Sequence, residues 1–164
     1  MLILIPPSEG KSSKNTTETK FDDTNFIFSK QVKEIVEILK DKKEEIEKIY
    51  GTSLEKSKDL QEKNLSVFSN TCSKAIERYT GVVYNQLDLN NYSEESKNYF
   101  NSKIRIFSGL FGMVKPNTLI PDYKLKMNVL GLTKFWSPFL SNELSKEKLI
   151  IDLLPEIHRK AYEH

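Results

Sequence analysis

Three short apolar runs, each bounded by glycine, proline or polar residues, dominate the hydrophobic pattern of the chain. They lie at residues 2–5, 104–107 and 149–152. Nearly continuous apolar runs of this length are typical of strands that are buried on both faces. The pattern therefore predicts one sheet made from the three segments, covered by helices from residues 29–79 and 133–145. The expected fold class is mixed α/β (α+β), a small buried sheet with surrounding helices.

Helical spacing of apolar residues begins at Ser29 and continues to residue 50, where Gly51 is suited to end a helix. A second helix is predicted over residues 54–62, with Leu54 and Leu60 as its buried residues. Two helices joined by a short glycine-containing turn would make a helix–hairpin–helix element.

This hairpin is a candidate DNA contact, because in DNA-binding versions backbone N–H groups and nearby lysines meet phosphates. Lys48, Lys56 and Lys58 flank Gly51. Residues 29–64 nevertheless hold nine lysines and nine acidic residues, so an ordinary solvated helical pair is the alternative.

The next elements are shorter. A third helix is predicted over residues 71–79, with Cys72 as a small core residue, followed by an irregular buried strand at 82–84. Ser93 can cap a further helix that ends near Lys103.

Length and composition favour one soluble domain, residues 1–164. The chain is 38% hydrophobic and 29% charged, and it has no apolar run long enough to span a membrane, which takes about 18 residues. Its first residues lack the basic region of a signal peptide, and its single cysteine allows no internal disulfide. We therefore expect a cytoplasmic protein without a membrane association; these patterns do not indicate an oligomeric state.

The stretch IPPSEGKSS, directly after the first predicted strand, is a candidate site. A phosphate loop would need a glycine where Ile5 stands, and two prolines remove backbone donors, so that interpretation fails. Ser8-x-x-Lys11 matches the short serine–lysine acylase pattern, but two fixed letters occur often by chance. A rigid basic turn and a binding role for Lys11 and Ser8 are the other interpretations.

Residues 99–136 carry most of the positive charge. Six basic residues and one acid give +5 there, against +2 for the whole chain. Seven aromatic residues are interleaved with these charges, as in grooves that follow a phosphate backbone. Core packing of the aromatics is the alternative. In SGLFG, two glycines three apart after a predicted strand allow a close backbone approach.

Taken in order, LILIPPSEGK, YTGVVY, RIFSGLFGMVKP, IPDYKLKM and FW resemble the YaaA peroxide-stress family of bacterial proteins. The resemblance implies a mixed α/β fold with a helix–hairpin–helix element and a positively charged cleft proposed to bind DNA. It also implies a role in limiting free iron and oxidative damage during peroxide stress. It assigns no firm catalytic reaction.

The resemblance places several residues in that cleft. Lys11 stands at the family's first-loop lysine, Tyr123 at its Pro-Tyr motif, and Arg105 and Ser108 in its Arg-x-x-Ser-Gly-x-x-Gly run, with Gly109 and Gly112. The candidate DNA-binding residues of the cleft are Lys11, Arg105, Ser108, Lys115, Tyr123 and Lys124; those of the hairpin are Lys48, Gly51, Lys56 and Lys58.

Two departures from the family pattern matter. Lys124 and Lys126 stand where Arg and Glu are usual, which puts a fixed ion pair there in doubt. Family members also continue for roughly a further third, with a Tyr-Ala-Lys-Lys-Ala-Arg-Gly-type motif. We therefore expect a C-terminally truncated domain with lower stability than longer relatives and an apolar edge exposed beside residues 149–154.

No metal or cofactor site is predicted. The only histidines, His158 and His164, are six apart, a spacing that does not share one helical face. Any effect on iron would then be indirect, for example through protection of DNA. The preferred interpretation is sequence-independent binding of double-stranded DNA. The alternatives are an enzyme of unassigned chemistry using Lys11, Arg105, Ser108 and Tyr123, and a truncated remnant with no activity of its own.

Overall fold

A four-stranded mixed sheet lies at the centre of the computed structural model, which describes residues 1–14, 16–87 and 89–163. The strands in chain order are β1 (Leu2–Ile5), β2 (Ser73–Lys74), β3 (Ile104–Ser108), β4 (Gly112–Val114), β5 (Leu119–Ile120) and β6 (Ile150–Asp152). The α-helices are α1 (Ser29–Lys40), α2 (Ile46–Tyr50), α3 (Leu54–Leu65), α4 (Ala75–Arg78), α5 (Val82–Asn85), α6 (Glu94–Lys103), α7 (Leu132–Leu144) and α8 (Glu156–Arg159). The mixed α/β class is confirmed.

The main sheet has the order β4-β3-β1-β6. β1 is central and parallel to both β3 and β6, with Leu4 opposite Arg105 on one side and Asp152 on the other. β4 is antiparallel to β3, and β2 and β5 form a separate antiparallel pair. The prediction that the three apolar runs share one sheet is confirmed.

The three parallel strands end at the same edge of the sheet. β1 is followed there by residues 6–11, β3 by Gly109, and β6 by the residues leading to α8. In open sheets with parallel strands, ligands bind beyond the carboxyl ends of the strands. This edge is therefore the first place to look for a site.

Several predicted helices have different bounds. The predicted helix over 29–50 is interrupted after Lys40, because no apolar residue between Leu39 and Ile46 is available to pack that turn. The predicted helix over 71–79 is reduced to α4, and the predicted strand at 82–84 is wrong, because α5 is helical there. The helix predicted to follow Ser93 is confirmed, with the Ser93 hydroxyl accepting from the Ser96 N–H.

The core explains most aromatic residues of 99–136. Phe107, Phe111 and Trp136 are completely buried, and Tyr123 is 2% exposed. Packing, rather than stacking on bases, is therefore the role of these rings. Cys72 is also fully buried, as predicted, and burial raises the pKa of its thiol to about 11.

β6 forms one edge of the main sheet. Leu149, Ile151 and Leu153 expose 54%, 40% and 59% of their surface, respectively. The apolar edge expected beside residues 149–154 is therefore present, and the expected loss of stability relative to longer relatives stays a prediction. Within the described ranges, no helix combines the length and the apolar character that a membrane crossing requires.

Candidate functional site

A cavity of about 250 Å³ lies at the carboxyl edge of the parallel strands. The loop after β1 contributes Ser8, Glu9 and Lys11, residues 123–128 form the opposite wall, and His158 of α8 closes one side. The cavity thus joins the segment that follows β1 to the segments that follow β5 and β6.

Lys11 is the most unusual charged group of this cavity. Its Nζ donates to the Ser8 carbonyl oxygen at 3.1 Å and lies 4.4 Å from the centre of the Tyr123 ring and 5.4 Å from that of Tyr79. Burial lowers the Lys11 pKa to about 8, and the nearby Lys124 ammonium acts in the same direction, while Asp122 and Glu9 act in the opposite direction. About half of the amine is therefore neutral at pH 8.

Three buried hydroxyl groups form a chain beneath Lys11. The Tyr79 and Tyr123 hydroxyls are 2.6 Å apart, and the Tyr123 and Ser108 hydroxyls are 2.8 Å apart. The Phe111 N–H donates to Ser108 Oγ at 3.0 Å, which fixes the inner end. Burial raises the pKa of Tyr123 to about 12, so its phenol stays protonated and the chain can donate, accept or pass a proton.

Lys124 and Lys126 bind one carboxylate from two sides. Lys124 Nζ lies 3.0 Å from Glu9 Oε2, and Lys126 Nζ lies 3.1 Å from Glu9 Oε1. These two bonds hold the pKa of Glu9 below its usual range. Beside them, Lys63 Nζ pairs with Asp122 Oδ2 at 2.6 Å. The sequence put a fixed ion pair at Lys124 and Lys126 in doubt. In the structure both lysines form ion pairs, and their partner is Glu9 in the loop after β1.

A buried polar network fixes the backbone of Lys124. Asn64 of α3 accepts from the Lys124 N–H at 2.9 Å and donates to the Lys124 carbonyl at 2.7 Å. Asn64 also donates to the Tyr50 hydroxyl, which in turn donates to Gln61. The helical hairpin is thereby tied to the cavity wall.

This network was missed from the sequence, because the pattern placed Leu54 and Leu60 inside. Leu54 is 47% exposed and Leu60 is only partly buried, whereas Ser57, Gln61 and Asn64 form the buried side of α3. Their i, i+4, i+7 spacing on one helical face is the signal that could have found them.

Gly109 allows the backbone to approach closely at the inner wall. A Cβ at this position would overlap the Leu125 carbonyl oxygen, and the Gly109 carbonyl accepts a hydrogen bond from Trp136 Nε1 at 2.9 Å. Gly112 has a φ of +69° with the Trp136 ring against it. The close approach predicted from SGLFG is confirmed.

Arg105 and Lys115 lie elsewhere. Both line a second cavity of about 610 Å³ that also contains Glu143. Arg105 Nη1 donates to the carbonyl oxygens of Asn101, Ser102 and Ile104. Of the six predicted cleft residues, Lys11, Tyr123 and Lys124 therefore line the first cavity, Arg105 and Lys115 line the second, and the buried Ser108 lines neither, so the expectation of one common cleft is corrected.

Ser108 and Tyr123 require a second correction. Ser108 is 0% exposed and Tyr123 is 2% exposed, with their hydroxyls bonded to each other. A direct contact of either hydroxyl with a DNA phosphate is incompatible with this burial, so their role at the cavity is to support Lys11.

The hairpin lysines are on the surface. Lys48, Lys56 and Lys58 are exposed, and Gly51 takes the left-handed conformation that ends α2, with its N–H bonded to the Glu47 carbonyl.

Metal ions in proteins are held mainly by His, Cys, Asp and Glu side chains. Across residues 1–14, 16–87 and 89–163, no group of three or more His, Cys, Asp or Glu side chains is arranged to hold a metal ion, and His164 lies outside these residues.

Comparison with known proteins relates this chain to one protein family. The family described as "Peroxide stress protein YaaA" matches residues 1–164. The chain is 30% identical to a UPF0246 protein of Fusobacterium nucleatum over 93% of its own length and 66% of the relative's. A UPF0246 protein of Clostridioides difficile is 31% identical, over 99% of the chain and 69% of that relative. An uncharacterized protein of Campylobacter jejuni is 28% identical, over 99% and 71%, respectively.

The chain thus spans about two thirds of the length of these curated relatives. The match runs through every element that forms the cavity, from the loop after β1 to α8. The chain belongs to the peroxide stress protein YaaA family.

Proposed function

We propose that this protein acts in the cytoplasm during peroxide stress by binding the phosphate backbone of double-stranded DNA without reading its sequence. The observation that carries the proposal is the pair of lysines, Lys124 and Lys126, that holds the Glu9 carboxylate with one ammonium on each oxygen. A carboxylate held in this way occupies the place that a phosphate group would take, since both present anionic oxygens to two cationic donors.

Glu9 is suited to displacement. Its side chain is 69% exposed, and the ion pairs it makes are surface pairs, each worth about 0–1 kcal/mol. A polyanion with many phosphates would compete successfully with a single exposed carboxylate, because each phosphate contact also releases condensed counterions.

The charge around the cavity favours an anion. Lys11, Lys63, Lys124 and Lys126 face only two nearby carboxylates among the described residues, those of Glu9 and Asp122. The group therefore carries a net charge of about +2 when Lys11 is protonated.

The hairpin would extend this surface. Lys63 belongs to α3, and its neighbour Asn64 holds the backbone of Lys124. Lys56 is seven residues before Lys63 on the same helix, a spacing that returns to the same face. Lys48 and Lys58 are exposed nearby along the chain, and they would contribute through their side chains.

Limitation of iron damage would follow from DNA binding. Free iron cations are attracted to DNA phosphates as counterions, where peroxide chemistry does its harm. A protein that neutralises those phosphates releases the cations bound there. The proposed protection therefore needs no iron site in the protein.

The test measures binding of two duplexes of unrelated sequence by fluorescence anisotropy over a series of salt concentrations. We expect similar affinities for both, falling with salt with a log–log slope of about −0.9 for each phosphate neutralised. The double substitution Lys124→Ala/Lys126→Ala should weaken both complexes and make the slope less steep by about two such steps.

Lys30→Ala, at an exposed position of α1 outside the proposed contact surface, is the control and should leave the slope unchanged. A folded sample that binds neither duplex at low salt would overturn the proposal. It would be overturned as well if the double variant bound both duplexes as tightly as the native protein does.

An enzymatic role is the second candidate function. The buried amine of Lys11, which contacts the Tyr123 ring above the hydroxyl chain to Ser108, favours it. Arg105 is removed from that candidate site, because it lies at the other cavity.

A further inference from the structure

The DNA proposal leaves Lys11 unexplained, because an amine withdrawn into a cavity is poorly placed to meet a duplex backbone. We propose that the 250 Å³ cavity binds a small aldehyde or ketone that carries a carboxylate or phosphate group, and that the Lys11 amine adds to its carbonyl carbon to form an imine. This inference does not rest on DNA binding.

The loop that carries Lys11 is held at several points. Pro6 and Pro7 restrict its backbone, and the Tyr84 hydroxyl donates to the Pro6 carbonyl at 2.6 Å. The Thr80 N–H donates to the Gly10 carbonyl at 3.1 Å, and Lys11 itself forms a bridge with Tyr79. The amine is therefore presented by a rigid support, which is what a reacting group needs.

The surroundings of Lys11 favour its neutral, nucleophilic form. It is buried beside the Tyr79 and Tyr123 rings, and it has no carboxylate within ion-pair distance among the described residues; the loss of water outweighs the attraction of the cation to the rings. The charged groups near it are the ammonium groups of Lys124 and Lys63 and the carboxylates of Glu9 and Asp122. Desolvation outweighs the two carboxylates and brings the Lys11 pKa to about 8, where an exposed lysine has about 10.4.

The wall formed by residues 124–126 is suited to an anionic group. Lys124 and Lys126 belong to it, and both are occupied by the exposed and displaceable Glu9 carboxylate. His158 also lines the cavity, and its buried Nδ1 has no hydrogen-bond partner among the described residues. The volume is slightly below the roughly 300–1,000 Å³ of drug-sized sites, which favours a small ligand.

The reaction is balanced without an oxidant or reductant. The nitrogen lone pair of Lys11 forms a bond to the carbonyl carbon, the C=O π pair moves to oxygen, and a proton passes from nitrogen to that oxygen. A second proton transfer releases the oxygen as water while the C=N bond forms. One amine and one carbonyl compound are consumed, and one imine and one water are produced.

The test incubates the native protein with glyoxylate and cyanoborohydride, which reduces an imine to a stable secondary amine, and maps the modified lysines by peptide mass spectrometry. Glycolaldehyde phosphate replaces the carboxylate by a phosphate in a second arm, and acetaldehyde, which has no anionic group, is the third. The internal reference is Lys14, an exposed lysine three residues away.

We expect Lys11 to be modified at least tenfold faster than Lys14 at pH 7.5, because a pKa near 8 leaves roughly a quarter of the amine neutral, against about one part in a thousand for an ordinary lysine. With acetaldehyde only this advantage from the larger neutral fraction should remain, and the rate should not saturate. With at least one anionic carbonyl compound the rate at Lys11 should be several-fold higher again and should saturate, and the compound that does so identifies carboxylate or phosphate as the preferred group. Lys11→Met should remove the fast modification, whereas Lys14→Met should keep it.

Glu9→Gln should increase the rate at which anionic carbonyl compounds modify Lys11. It frees Lys124 and Lys126 and removes a carboxylate that favours the charged form of Lys11, so modification by the anionic compounds should be several-fold faster. Modification of Lys11 no faster than Lys14 in the native protein would overturn the inference. So would equal rates with acetaldehyde and both anionic compounds. Because no DNA is present, failure here leaves the DNA proposal standing, and the reverse also holds.

Discussion

The ammonium group of Lys11 lies 4.4 Å from the centre of the Tyr123 ring. This contact joins the loop after β1 to the segment after β5, two parts of the chain more than a hundred residues apart. A cation over an aromatic face is stabilised by the ring without being neutralised, in contrast to a carboxylate partner. The amine therefore stays desolvated and titratable, which gives it consequences for both stability and chemistry.

The Lys11 pKa predicts how stability depends on pH. In the unfolded chain Lys11 titrates near 10.5, and in the folded protein near 8. Between these values the unfolded state binds more protons, so the free energy of unfolding should rise with pH, by up to about 3 kcal/mol from this group. This gain ends near pH 10. Above that pH, tyrosines ionise in the unfolded chain, whereas the raised pKa of the buried Tyr79 and Tyr123 keeps them protonated in the folded protein, so the free energy of unfolding falls again.

The measurement is urea unfolding of the native protein and Lys11→Met at several pH values from 7 to 10. The native protein should gain stability with pH relative to the variant, whose own curve lacks this contribution. Parallel curves across that range would show that Lys11 titrates normally in the folded state.

The hydroxyl of Tyr123 offers a second prediction. Tyr123→Phe keeps the ring beneath Lys11 but removes a hydroxyl bonded to Tyr79 and Ser108. Two buried hydroxyls then lose a partner, which should lower the free energy of unfolding by about 1–3 kcal/mol. Tyr99→Phe, at a residue that is 58% exposed, is the matched control and should change stability little. Equal effects of the two substitutions in urea titrations would contradict the role given to the chain of hydroxyls.

Sequence patterns predicted the sheet well, because its central strands are short apolar runs with no competing interpretation. They failed where tertiary contacts decide the outcome. Residues 82–84 are β-branched or aromatic and predicted a strand, yet they form α5, on which Val82 is 85% exposed. The preference of such residues for strands comes largely from packing on a half-buried sheet surface. An exposed Val82 gains nothing from that packing, so the chain is free to form a helical turn after Gly81.

Only part of the candidate site was predictable from the sequence. Lys11 was singled out by the IPPSEGKSS stretch and again by the family resemblance, whereas Tyr123 was found through the resemblance alone. Glu9 and Asn64 were missed, because their importance comes from partners 115 and 60 residues away in the chain. Arg105 was assigned to the same cleft because the family resemblance places it in one run with Ser108. The two residues are three apart on β3, and positions an odd number apart on a strand point to opposite faces.

Asn64 should be essential for the attachment of the hairpin. Asn64→Ala removes both hydrogen bonds to the Lys124 backbone and one to the Tyr50 hydroxyl, all in a buried environment. We expect a loss of about 2–4 kcal/mol in the free energy of unfolding. Asn25→Ala, at an exposed position, is the control. A loss no larger than that of the control, measured in urea, would mean that the network is dispensable.

The positions of Gly109 and Gly131 each favour glycine, but for two different structural reasons. A methyl group at Gly109 would collide with the Leu125 backbone, which cannot move without displacing the cavity wall. At Gly131 there is open space, and only its φ of +71° disfavours a side chain. Gly109→Ala should therefore cost about 3 kcal/mol or more, and Gly131→Ala about 1 kcal/mol. Thermal or urea unfolding of the two variants compares them directly, and the reverse order would contradict the close approach.

Removal of one acidic residue should increase DNA affinity at the proposed phosphate site. Glu9→Gln keeps the size of the side chain but releases Lys124 and Lys126 from their ion pairs. We expect about fivefold tighter binding of any duplex at low salt, consistent with two surface pairs of at most about 1 kcal/mol each, and a steeper salt dependence. Glu18→Gln makes the same charge change at another exposed position, so it reports the effect of net charge alone. Equal gains in the two variants would mean that overall charge, and not the Glu9 site, governs binding, whereas a gain confined to Glu9→Gln would identify the pair of lysines as the phosphate contact.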